Sequence, residues 1–169
     1  TLHGCPPEEI EKIAHYFLTV KKMDTFIKVN PTLLGYDFVR DILNKLGYGY
    51  VTFDTRHFEQ DLKFPDAVAL IGRLMETARQ QGLRFGVKVS NTFPVQIKNG
   101  ELPGEFMYMS GRALFPLSIN VARKLSNHFD GKLPISYSGG ADAFNIERIL
   151  RTGIRPVTFA TTILKPGGY

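Results

Sequence analysis

Apolar residues recur along this chain in two alternating rhythms. Ile10, Ile13, Ala14, Phe17 and Leu18 share one face at helical spacing, behind a Pro6-Pro7-Glu8-Glu9 opening that suits a first helical turn. The run Phe26 to Val29 is too short for a helix and reads as a strand. Phe38, Val39, Ile42, Leu43 and Leu46 restore the helical stripe up to Gly47, and Tyr50 to Phe53 gives a second strand. Val68, Ile71, Leu74, Met75 and Ala78 form the next stripe before Gly82, and Phe85 to Val89 the third strand. Leu117, Val121, Ala122 and Leu125 mark a fourth helix. Leu133 to Tyr137 then predicts a strand, Ser138-Gly139-Gly140 a tight turn, Asp142 to Arg151 a helix, and a closing strand runs into Ala160-Thr161-Thr162. Five strands alternating with five helices predict a parallel α/β sheet with right-handed crossovers. Only Phe93 to Phe115 interrupts the rhythm, as a long irregular stretch with an Asn99-Gly100 turn, a length usual for a lid or binding loop.

Each predicted strand changes character where it ends. Asn30-Pro31-Thr32, Asp54-Thr55-Arg56-His57, Ser90-Asn91-Thr92, Ser138-Gly139-Gly140 and Ala160-Thr161-Thr162 follow the apolar runs, and His3-Gly4-Cys5 precedes the first helix. In parallel α/β folds those ends lie on one face, so the groups converge on one pocket unless each is simply a helix cap. Two lysines, Lys28 and Lys88, sit inside strands, where burial of an ammonium calls for an acid, for solvent or for a polar site. Asp54 and Glu105 are candidate acidic partners. Cys5 is the candidate catalytic side chain, at a helix start that would lower its thiol pKa, unless it is a small buried hydrophobe. Met107-Tyr108-Met109-Ser110-Gly111-Arg112 offers flat, soft side chains beside a turn rich in amide donors, unless it plugs the core. Arg112 is placed to meet a phosphate or a carboxylate.

The 169 residues suffice for one domain, and 43% hydrophobic content fits a globular chain. The net charge of +5 is spread out, with Lys21-Lys22 the one basic doublet, which argues against a nucleic-acid surface. A single cysteine excludes an internal disulfide or a cluster held by this segment alone and suits the cytoplasm. His3, Cys5 and His57 lack the close spacing of a metal site, and no run is long enough to span a membrane.

Taken in order, IKVNPT with Lys28, the triplet Ser90-Asn91-Thr92, MSGRALFPLSI, SYSGGADAF and the terminal ATT resemble the later half of the FMN barrel shared by dihydroorotate and dihydropyrimidine dehydrogenases. The resemblance implies a partial TIM-type β/α barrel of about five βα units over residues 1–169, an excerpt of a longer multidomain chain. It implies FMN contacts at Lys28, Asn91, Ser110, Gly111, Gly139, Gly140, Thr161 and Thr162, with Lys88 as the rival strand lysine. The usual loop base of that family has no recognised counterpart. The entire chain also resembles a segment of the "putative selenate reductase" subunits, bacterial iron–sulfur flavoproteins. That likeness implies FAD, NAD(P)H and an iron–sulfur cluster elsewhere in the polypeptide. Five strands cannot close an eight-stranded barrel, so other domains or a second copy are expected to cover the open sheet. A barrel that has lost its flavin and serves as a scaffold is the alternative.

Overall fold

A computed structural model describes residues 6–164. A parallel sheet with the order β1-β2-β5 forms its centre, built from Thr25–Val29, Phe85–Val89 and Ile135–Tyr137. Helices α1 (Pro7–Thr19), α4 (Phe64–Gln80) and α5 (Phe115–His128) pack on one side of it. Each of the three begins with a proline in its first turn, where the missing N–H leaves no intrahelical bond unmade. Ala14 and Leu18, Ile71 and Leu74, and Leu117 and Leu125 are buried from these helices against Ile27, Val29, Val87 and Val89. Alternation along the strands turns Phe26, Lys28, Gly86, Lys88 and Ser136 to the opposite face, which is helix-free among the described residues. Gly86 is needed there, since a Cβ at that position would run into the Phe26 ring and the Pro134 carbonyl. The fold is thus the expected α/β partial barrel, with parallel strands alternating with helices.

Three local differences from the sequence reading shape the site. First, Tyr50 to Phe53 does not enter the sheet, so β1 pairs directly with β2. Its Thr52 carbonyl instead accepts from Gln96 N–H at 2.8 Å, and Phe53 is buried in an aromatic cluster with Tyr36, Phe58 and Phe93. A short apolar run can be buried by a side-chain cluster as well as by a sheet, and pattern alone does not separate the two. The helices α2 (Tyr36–Lys45) and α3 (Arg56–Gln60) flank this segment.

Second, the stretch expected to be irregular contains an antiparallel hairpin, β3 (Phe93–Gln96) with β4 (Phe106–Met109). Third, the closing strand is reduced to one parallel bridge between Tyr137 and Val157. Pro156 has no N–H to give a ladder, but its carbonyl accepts from Tyr137 N–H, and Thr158 N–H returns to the Tyr137 carbonyl. Helix α6 (Ile146–Arg151) starts later than Asp142, and a last short helix, α7, covers Thr161–Leu164. Among the described residues no helix is long and apolar enough to cross a membrane.

Candidate cofactor site

The C-terminal end of β5 leads into Ser138-Gly139-Gly140, and two other segments meet it there. Gly140 has φ +77, a conformation natural to glycine, and a Cβ on it would press on the Gly111 carbonyl and on Phe115 N at 3.0 Å. Gly111, φ +63, opens a 3-10 turn over Gly111–Leu114 behind Ser110, and a Cβ there would reach the Thr161 methyl at 2.8 Å. Three segments far apart in sequence therefore touch backbone to backbone or backbone to methyl. Thr162 follows Thr161 in the first turn of α7. Among the described residues nothing accepts the N–H groups of Gly139, Gly140, Ala141, Thr161 or Thr162. Unpaired amides beside threonine hydroxyls make a donor set suited to a phosphoryl group.

The turn is held from beneath. Tyr137, fully buried, donates its hydroxyl to the Gly139 carbonyl at 2.9 Å, and burial pushes its phenol well above the ordinary range. A Cβ on Gly139 would collide with Ser118, whose hydroxyl meets that of Ser90 at 2.7 Å inside the core. Neither Tyr137 nor Ser118 stands out in the sequence, where both read as ordinary core positions. Arg112 reaches Asp142 at 2.7 Å and lies over the Phe144 ring, so its partner is a carboxylate of the chain itself. Burial of Asp142 opposes ionisation, but Arg112 and the N–H of Phe144 outweigh it and hold the carboxyl below its usual range. Asn145 Oδ1 takes the Asp142 N–H, and the Asp142 carbonyl accepts from Ile146 N–H at the start of α6.

The helix-free face carries the lysines. Lys28 and Lys88 are opposite each other in the β1–β2 register, and Ser136 continues the row on β5. Direct pairing of β1 with β2 makes the two lysines neighbours on adjacent strands. Lys88 donates to Thr158 Oγ1 at 2.8 Å. Burial, and next to it the charge of Lys88, lowers the Lys28 pKa. Asp54 and Glu105 do not serve the lysines: both engage Arg56, which also covers the Phe106 ring.

Beyond the ends of β1 and β2, Asn91 donates to Asn30 Oδ1 at 2.6 Å, and Asn30 and Thr32 both donate to Asp61 Oδ2, at 2.9 and 2.7 Å. Asp61 is the hub of this network, and the sequence offers no sign of it, since the contact spans about thirty residues. A cleft of about 440 Å³ is lined here by Lys28, Asn30, Asp61 and Asn91, and a second of about 420 Å³ by Thr32, His57, Asp61 and Thr92. The Nε2 atom of His57 is buried and has no hydrogen-bond partner among the described residues. The structure thus brings Ser110, Gly111, Gly139, Gly140 and Thr161 to one turn cluster, and Lys28, Lys88 and Asn91 to the strand row and its end. Cys5, with His3, lies outside the described residues. Among those described, no three His, Cys, Asp or Glu side chains are placed to hold a metal ion.

Residues 1–169 match the family described as "Oxidoreductase YgfK, N-terminal TIM-barrel domain". The protein named "Putative oxidoreductase YgfK" in Escherichia coli strain K12 is 58% identical over all 169 residues, and so is its namesake in the O157:H7 strain. The chain spans 16% of the length of each. With the barrel-type sheet and this family match on one chain, the protein belongs to the N-terminal TIM-barrel domain family of oxidoreductase YgfK.

Proposed function

We propose that this domain is the FMN-binding barrel portion of a larger oxidoreductase. The observation that carries the reading is the meeting of the Gly111, Gly140 and Thr161 turns beside unpaired amide N–H groups, at the end of a sheet whose open face presents two lysines. In this reading the amides of Gly139 and Gly140, with Ser110, Gly111, Thr161 and Thr162, hold the phosphate. Lys28, Lys88 and Asn91 face the ring. Bound FMN would supply electron transfer in one- or two-electron steps. The protein's own task is to anchor an anion, orient a ring over the sheet and set the local charge with the lysines. FAD, NAD(P)H and an iron–sulfur cluster belong, by resemblance to selenate reductase subunits, to the remainder of the longer polypeptide. Other domains of that polypeptide, or a second copy, would cover the open face.

One observation favours the scaffold alternative. The spaces a Cβ would fill at Gly139 and Gly140 are taken by Ser118 and Gly111, so close packing alone accounts for both glycines. An absorbance spectrum of freshly purified full-length protein, with mass spectrometry of any released flavin, separates the two readings. FMN at close to one equivalent beyond any FAD supports the barrel as a cofactor site. Absence of FMN, together with no change in FMN fluorescence at saturating protein, leaves the scaffold.

A further inference from the structure

The lysine row poses an electrostatic problem that the described residues leave unsolved. Adjacent strands lie about 4.8 Å apart, and like charges directly opposite on a strand pair repel. Lys28 and Lys88 stand in that relation, and Lys28 is partly withdrawn from water as well. Among the described residues no carboxylate lies within ion-pairing distance of either ammonium. Asp54 and Glu105 pair with Arg56 instead, and Asp142 with Arg112. Asp61, in the cleft that Lys28 lines, receives Asn30 and Thr32 instead of lysine. Thr158 supplies Lys88 with a hydroxyl acceptor but no charge.

We propose that Lys28 and Lys88 together bind an oxyanion group on the open face of the sheet. One negative group between the two ammoniums removes their repulsion and accepts a charge-assisted hydrogen bond from each. Thr158 orients the second lysine toward it. The same oxyanion chemistry has two sources, a free small carboxylate or phosphate, or an acidic side chain from another part of the longer polypeptide. The oxyanion site shares its two lysines with the FMN reading but rests on the register of the strands and not on the turn cluster.

The test uses amine acylation of the full-length protein, read at each lysine by mass spectrometry, in malonate or inorganic phosphate against chloride of equal ionic strength. A free anion is supported if malonate or phosphate protects Lys28 and Lys88 while exposed Lys132 labels unchanged. Lys88→Met then raises the half-protecting concentration for Lys28 about tenfold, as loss of one charge-assisted hydrogen bond requires, and Lys88→Arg retains protection. Carbodiimide coupling covers the other source, by joining Lys28 or Lys88 to an Asp or Glu elsewhere in the polypeptide. Unchanged labelling in both anions, with no such cross-link, overturns the proposal. Flavin content is read separately by absorbance, so failure of one reading is distinguishable from failure of the other.

Discussion

Replacement of Gly140 by alanine isolates the close approach on which the turn cluster depends. Two costs act at this position. With φ +77, any residue with a Cβ is strained by about 1–2 kcal/mol. The added methyl also meets the Gly111 carbonyl and Phe115 N, backbone atoms that cannot swing aside as a flexible side chain would. Displacing packed backbone adds about 1–3 kcal/mol, the range for overpacking a filled core. Gly153, φ +87, provides the internal control, because nothing lies within 4 Å of its Cβ position and only the first cost applies. In urea unfolding, Gly140→Ala is expected to lose about 2–5 kcal/mol and Gly153→Ala about 1–2 kcal/mol. Equal losses, within about 0.5 kcal/mol, would mean that the contact with Gly111 is absent in solution.

Other consequences follow from the same contacts. Tyr137→Phe removes the hydroxyl that holds the Gly139 carbonyl and should cost about 1 kcal/mol in urea unfolding, with faster amide exchange at residues 139–141 as its local signature. Asp61→Ala strips the shared acceptor from Asn30 and Thr32, so a loss of about 1–3 kcal/mol is expected, and Asp61→Asn should recover part of it. Because the folded state holds the Asp142 carboxyl below its unfolded value, its stabilisation is present above the unfolded pKa and is lost as pH falls through the folded one. Arg112→Met raises the folded value and should move the acid limb of the stability–pH curve to higher pH; an unmoved limb would show that the 2.7 Å pair is not formed.

The two faces of the sheet differ in chemistry. A sheet covered by helices on one side and bearing two lysines on the other buries little apolar surface there, so its stability rests on the helix-packed side. Chemistry can then be placed on the open face without loss of core packing. The chain spans 16% of the length of the E. coli relatives. The hairpin β3–β4 follows the C-terminal end of β2, and Arg56 bridges Asp54 and Glu105 next to it.

The amphipathic stripes beginning at Ile10, Val68 and Leu117 and the apolar runs at Phe26, Phe85 and Leu133 determined the helices and strands of the packed side. Burial there is dictated by local periodicity, which a chain carries in its order of residues. Glycine at 111, 139 and 140 likewise signalled tight turns. What the sequence left open was decided by long-range pairing. Tyr50 to Phe53 had the composition of a strand, yet Phe53 is buried among rings from three other segments, and its absence from the sheet brings Lys28 beside Lys88. Asp61 became the centre of a polar network only when folding carried it to Asn30 and Thr32. Local pattern fixes which face of an element is apolar; which elements become neighbours depends on packing across the whole chain, and the site is made of such neighbours.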